Sequence, residues 1–415
     1  MTEIRDILFV PSKAGFFNKD LLASAASNRR NGFLHEGAPM TPGFRQIVEP
    51  GEALSVMLVL DDGQIAIGEG MSVILAGVAG RDPIFRPGEM LTLLNQHVQP
   101  LLAGRNVAHA RRLAEEIDTL MIDGKPLHSA ARYGVTQAVF QAAALARGLL
   151  PAEIISEQYN TRIARAPLPI MGAAEQSDAG LVDRIILKRA DILPHGAFSS
   201  IDRDLGSDGS KLLIYAAGLA ARIKEIGAAD YCPRIHFDMY GSIGALFPDP
   251  TDAAAYLDRV ATAVAPFSLL IESPIIEATR TQQFDSYRRL KDALARRNSA
   301  VGIVIDEWCN DLDDVRACAE LGAADFVQIK TPDLGGINNA IEAVLLCRAA
   351  GMGSCLGGSA NETDISARMT AQIALACQPD FLMSKPGLGF DEGFMILSNE
   401  MIRSLALMES RNRAP

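Results

Sequence analysis

Cysteines are few in this chain, and their spacing pairs none of them. Six occur in 415 residues (Cys232, Cys309, Cys318, Cys347, Cys355 and Cys377), with no CxxC and no Cys/His cluster. That excludes a disulfide-stapled scaffold and a thiolate zinc site, and it fits reduced, mostly buried thiols of a cytoplasmic protein. Excess positive charge is missing too. The formal net charge is −11, which argues against a nucleic-acid partner. No apolar run reaches the roughly 18 to 20 residues of a membrane span, so no membrane association is expected. The opening Met-Thr-Glu-Ile-Arg-Asp carries no signal-peptide pattern. No GxGxxG follows a strand-like run, so a dinucleotide fingerprint is lacking. Low-complexity tracts are absent as well.

What is present is apolar enough to build a large core: 48% of residues are hydrophobic and 21% charged. The length suggests two domains, placed at 1–160 and 161–415. In the first, residues 55–70 read as a hairpin turning at Asp-Asp-Gly, and helices are expected over Ala108–Leu120 and Ser129–Leu149. Strands followed by helices indicate an α+β domain. From Pro167 onward the pattern changes to alternating strands and helices. Strands are expected at Pro167–Gly172, Ile192–Phe198, Arg234–Asp238, Leu269–Glu272, Gly302–Asp306, Phe326–Lys330, Gly353–Gly357 and Phe381–Ser384. Eight is the number that closes a β/α barrel. Amphipathic helices fit the gaps, with Asn338 after a Gly-Gly as the N-cap of one over Asn338–Ala350.

Three of these runs end in a carboxylate, at Asp238, Glu272 and Asp306, each 34 residues from the last; a fourth ends in Lys330, 24 residues on. In a parallel barrel the C-terminal strand ends converge on one face, so the three acids can meet at the rim. Three carboxylates suit a hard divalent cation such as Mg2+ and leave about three coordination places for water or substrate. Acidic residues often just cap the next helix, but three at consecutive strand ends and equal spacing favour a metal site. Lys330 then stands where desolvation and a cation can lower its pKa from about 10.4 and make it a base; the plainer alternative is an ion pair with Asp306. Gln328, two residues earlier, points the same way and can donate to a substrate carboxylate. His195, after the second strand, lies across the barrel from Lys330, so the two can address opposite faces of one carbon. His236 is read as lying beneath the metal and not as a ligand. Two glycine-rich stretches, 356–363 and 385–393, complete the rim. The first offers backbone N–H groups for a carboxylate.

These residues carry a resemblance. Phe-Asp238-Met-Tyr-Gly, Ile-Glu272-Ser-Pro, Asp306-Glu-Trp-Cys-Asn and Val-Gln-Ile-Lys330-Thr-Pro-Asp-Leu-Gly-Gly resemble the methylaspartate ammonia-lyases of the enolase superfamily. Blocks 79–85, 127–138 and 385–393 extend the likeness over nearly the whole chain. It implies an α/β fold: a modified TIM (β/α) barrel with an N-terminal α+β capping domain, usually as a homodimer. It implies Mg2+, and a monovalent cation such as K+. The implied substrate is a small-molecule amino diacid, 3-methylaspartate, converted to mesaconate and ammonia. By similarity Lys330 is the base for the main epimer and His195 for the other. The substrate-binding positions are Gln176, Gln328, Ser359, Ala360 and Met383. The chain departs from the family pattern in its pocket walls. Gly-Gly-Thr-Cys-Asn-Glu-Thr becomes Gly-Gly-Ser359-Ala360-Asn-Glu-Thr, and Ile74, Ala174 and Cys355 stand where the family has glutamine, phenylalanine and tyrosine. Two other readings therefore stay open: a dehydratase, racemase or cycloisomerase on the same metal site, and a non-catalytic barrel that binds a metal or dicarboxylate. Ammonia release separates the first; the presence of both Lys330 and His195 speaks against the second.

Overall fold

The structure is a computed structural model describing residues 2–26, 30–387 and 389–413; Leu388 of the 385–393 stretch lies outside the described residues. The expected hairpin forms from strands Val48–Leu60 and Ile65–Met71, paired antiparallel. Its tight turn is held by Gln64 N–H donating to Asp62 Oδ1 at 2.9 Å. A third strand, Ile4–Lys19, pairs along the outer edge of the hairpin. Sequence reading missed it because most of its side chains are exposed or half-buried, so no apolar alternation marks it.

Helix Ser129–Leu145 lies across this sheet and is buried almost all round. Its contact with the strand Ile65–Met71 is backbone to backbone. A Cβ on Gly70 would stand 1.8 Å from Ala130 O, and one on Gly68 2.2 Å from Gly134 O. The run of alanines in the helix and the paired glycines therefore serve one purpose, a close approach that larger side chains would forbid. The other expected cap helix is present as Ala110–Asp118.

Eight parallel strands close the barrel: Ile170–Met171, Ile192–His195, Arg234–Asp238, Leu269–Glu272, Gly302–Ile305, Phe326–Ile329, Gly353–Leu356 and Phe381–Met383. All eight expected strands are there. Several end a residue or more earlier than expected, so Asp306, Lys330 and Gly357 sit just past the last paired residue. The first strand has only two residues, yet Met171 pairs with both Met383 and Ile192, which closes the ring. The period of two decides which side chains face inward. Met171, Ile192, Leu270, Val304, Cys355 and Phe381 form an apolar plug, with Phe326 and Met383 packed on it. Met383 is thus part of that packing. The intervening residues join the larger core that also includes the cap helices. One expectation fails in detail. The helix Ile337–Ala349 is capped by Gly336, with Asn338 inside it bonding to Asn339, because the chain enters the helix two residues early.

Gly70→Ala should lower stability by about 1–3 kcal/mol, the usual cost of overpacking a tight contact. Urea denaturation reads this directly, and a wild-type midpoint would show that the helix can give way.

Candidate active site

Inward parity carries His236 and Asp238 from the third barrel strand, Leu270 and Glu272 from the fourth, Val304 and Asp306 from the fifth, and Gln328 and Lys330 from the sixth. The apolar plug forms the floor; the polar members of each pair stand above it at the strand ends. Asp238, Glu272 and Asp306 are 3%, 1% and 7% exposed. Like charges this deeply buried must find partners, and they do so separately. Asp306 pairs with the Lys330 ammonium, which also lies 3.7 Å from Glu307. Glu272 Oε2 lies 3.0 Å from His236 Nε2 and accepts from Gln328 Nε2 at 3.4 Å. Burial, then the neighbouring carboxylates, push Asp238 and Asp306 well above the usual carboxylate range. Burial acts on Glu272 in the same sense, but the facing His236 and His195 and Lys330 hold it below.

His195 reaches this cluster by an unusual route. Ile192 faces inward, so a regular strand would turn His195 outward. Its backbone is left-handed instead (φ 61°), a costly conformation for a residue other than glycine, and the imidazole stands over His236 with ring centroids 5.2 Å apart. Its ring nitrogens lie 3.8 Å from Asp238 Oδ2 and 3.8 Å from Glu272 Oε2. Burial, reinforced by His236 and Lys330 and opposed by Glu272, lowers its pKa to about 4, so the ring is neutral at physiological pH. Ligand atoms of His195, His236 and Glu272 all fall within 4.8 Å of one another, the one such group of three among the described residues. His236 is therefore in the acidic cluster itself and not merely beneath it.

Lys330 behaves differently from the expectation of a depressed pKa. Burial does push it down, but the Asp306 and Glu307 carboxylates outweigh burial and raise it above the ordinary lysine range. The ion pair with Asp306 is real. A trivial lysine would not lie where this one does, at the end of the strand directly opposite His195 in an eight-stranded ring.

The remaining expected positions lie around this cluster. Gln176 donates to Asp204 Oδ1 at 2.8 Å and to Ala197 O at 3.2 Å, while its buried Oε1 has no partner among the described residues. Gln328 Oε1 is likewise buried and unpartnered. Two amide oxygens without partners mark a polar pocket wall. A Cβ on Gly357 would stand 2.1 Å from Gln328 Oε1, so only glycine fits beside that amide. Ser359 Oγ accepts from Ile74 N–H at 2.9 Å, which places a cap residue directly on the loop after the seventh strand. Ala360 adjoins it, nearly buried.

Sequence reading gave no role to Arg81 or Glu307. Arg81 comes from the cap, is almost wholly buried, and donates to Asp333 Oδ2 (2.7 Å), Glu307 Oε1 (2.8 Å) and Asn310 Oδ1 (3.0 Å). The Gly-Arg-Asp-Pro block was visible, but nothing in its spacing shows that it docks beside Asp306.

A capped β/α barrel with three carboxylates, a lysine and a neutral histidine gathered at its strand ends has the make-up of an enzyme site. Comparison with known proteins makes this particular. The methylaspartate ammonia-lyase N-terminus model matches residues 2–160, and the C-terminus model residues 162–410. Methylaspartate ammonia-lyase 2 of Carboxydothermus hydrogenoformans is 43% identical over 99% of both chains. The crystal structure of the β-methylaspartase from Clostridium tetanomorphum, a Mg complex, is 40% identical over 99% of this chain and all of that one, with a TM-score of 0.94. The Citrobacter amalonaticus enzyme, solved containing (2S,3S)-3-methylaspartic acid, is 38% identical over 98% and 100% of the two chains, with a TM-score of 0.96. A muconate lactonizing enzyme from Pseudomonas fluorescens, 18% identical with a TM-score of 0.63, shares the fold alone. The chain belongs to the methylaspartate ammonia-lyase family, and it is an ammonia-lyase.

The buried neutral state of His195 has a thermodynamic consequence. Its folded pKa of about 4 lies below the ordinary 6.5, so its contribution to stability is complete above pH 6.5 and is lost as pH falls toward 4. An NMR titration of the His195 ring in EDTA-treated protein should give a midpoint below 5; a midpoint near 6.5 would contradict the burial argument.

Proposed function

We propose that the protein takes the C3 proton of 3-methylaspartate, α to the distal carboxylate, and eliminates ammonia from C2 to give mesaconate, with Mg2+ as cofactor. The observation that supports this best is the pair of bases on opposite barrel strands, Lys330 and His195, facing one carboxylate cluster. Asp238, Glu272 and Asp306 are the residues that would hold the cation. Their fit lies in their charge state: burial and mutual repulsion hold two of the three far above the carboxylate range, and a hard oxygen-liganded cation relieves that. When bound, the cation would replace Lys330 as the counter-charge of Asp306 and stabilise the negative charge that develops on the substrate carboxylate.

The chain's own residues do the rest. Lys330 addresses one face of C3, and the neutral His195 addresses the other. Gln328 and Gln176 line the substrate pocket; their amide N–H groups are held by Glu272, Asp204 and Ala197, and their amide oxygens accept from the substrate ammonium. Ser359 and Ala360 form the wall next to the cap. The same reading carries a cytoplasmic homodimer and a monovalent-cation requirement. Light scattering tests the first of these two assembly and ion expectations, and replacing K+ by tetramethylammonium tests the second. Ile74, Ala174 and Ala360 favour one further reading, in which a related acid with another leaving group is the natural substrate, because these pocket positions differ from the family pattern. Parallel assays of mesaconate and ammonia decide between the two.

With (2S,3S)-3-methylaspartate and Mg2+, mesaconate and ammonia should appear in equal amounts and stop on EDTA addition. Absence of both products with the metal present would overturn the lyase reading. Lys330→Ala should cut turnover of this epimer by about 10²–10⁴-fold, the range for a general base, and His195→Ala should do so for the C3 epimer. Equal losses on both epimers would overturn the division by face. The pH profiles should differ as well. The neutral His195 can accept a proton directly, whereas Lys330 must first shed one, so the His195-dependent epimer should retain activity at lower pH.

A further inference from the structure

A second buried charge cluster lies behind the site and takes no part in the chemistry described above. Lys385, just past the eighth strand, is 1% exposed, and Glu362, in the loop after the seventh, is 0% exposed. Lys385 Nζ lies 2.8 Å from Glu362 Oε2 and donates to Thr331 Oγ1 at 3.1 Å and to Gly357 O at 2.5 Å. All three of its protons are engaged, so it has none to offer a substrate. Glu362 Oε2 also accepts from Ser359 N–H at 3.0 Å, and Oε1 accepts from Tyr133 OH at 2.7 Å and Thr331 Oγ1 at 3.3 Å. Tyr133 comes from the long cap helix, Ser129–Leu145, and is 1% exposed.

Four parts of the chain meet in this cluster: the cap helix, the residue after Lys330, the Ser359–Ala360 loop and the end of the eighth strand. Other contacts converge on the same loop. Gly15 N–H donates to Asn361 O at 3.0 Å, and Gly387 N–H to Ala360 O at 2.8 Å. A Cβ on Gly358 would stand 1.8 Å from Glu362 Oε2, so the loop is moulded to the carboxylate. A buried ion pair is a poor source of stability, since apolar residues of the same size usually do as well. Its value here lies in what it orients.

We propose that Tyr133, Glu362 and Lys385 are positioning residues that fix the Ser359–Ala360 wall and, through Thr331, the backbone carrying Lys330, so that docking of the cap and alignment of the site are one event. None of the three touches substrate. Burial lowers the Lys385 pKa against the pull of Glu362, and it raises that of Tyr133.

The test uses the full-length protein and four variants: Tyr133→Phe, Glu362→Gln, Lys385→Met and the double variant Glu362→Gln/Lys385→Met. Hydrogen exchange read by mass spectrometry should speed up in residues 356–363 and 12–18 of Tyr133→Phe while the rest of the barrel keeps wild-type protection. The kinetic arm rests on the lyase reading. On (2S,3S)-3-methylaspartate, kcat of Tyr133→Phe should fall about tenfold to a hundredfold, the scale of a slight misplacement of reacting groups. The double variant should regain the melting temperature lost in the single variants without regaining kcat. Wild-type exchange in the loop would overturn the proposal, as would faster exchange with unchanged kinetics or a rate that recovers together with stability. A wild-type protein inactive on this substrate would sink the lyase reading instead, and the exchange arm alone would then decide.

Discussion

Four carboxylates, Asp238, Glu272, Asp306 and Glu307, are confined within the mouth of one barrel, and the rest of the site is a response to their repulsion. In a medium of low dielectric no such group can be left without a counter-charge or a proton. Lys330 answers Asp306, His236 and Gln328 face Glu272, and Arg81 reaches in from the cap to Glu307. Asp238, which has His195 near it but no lysine or arginine paired with it among the described residues, is left with its pKa raised by burial and by the other acids. A cluster so short of positive charge is built to take up more of it.

The same constraint explains why cap and barrel meet through polar groups as well as apolar ones. Arg81, Tyr133 and the backbone of Ile74 are cap groups, and each ends on a residue belonging to the barrel mouth. An apolar interface would exclude water equally well, but it could not neutralise Glu307 or hold Glu362. Cap docking is therefore electrostatic at the centre and hydrophobic around it, where the core runs continuously through both parts.

Much of this was legible in the sequence. The eight barrel strands show because each run is short, apolar and bounded, and in four of them a charged residue marks the end. Asp238, Glu272, Asp306 and Lys330 could be placed on one face by counting in twos. Other features were not legible, for physical reasons that differ from case to case. The strand Ile4–Lys19 lies on a sheet edge with little burial, so it carries no alternation. His195 could be placed across the barrel from Lys330, but not the positive φ that turns it inward against the parity of its strand. The state of Lys330 depends on whether burial or Asp306 and Glu307 prevail, a balance of magnitudes that spacing cannot supply. Arg81 and Tyr133 act across more than two hundred residues of chain and Lys385 on separate segments, and no local pattern announces such partners.

Around the loop after the seventh strand, cap and barrel meet largely through main-chain groups. Ile74 meets Ser359 through its backbone N–H, Ala360 meets Gly387 through its carbonyl, and Gly15 meets Asn361 through that residue's carbonyl. Main-chain hydrogen bonds survive a change of side chain. The side chains of Ile74 and Ala360 can thus set what the pocket offers a substrate without loosening the cap. Ser359 is different, because its hydroxyl is itself the acceptor, so the hold of this loop on the cap depends on an oxygen at that position.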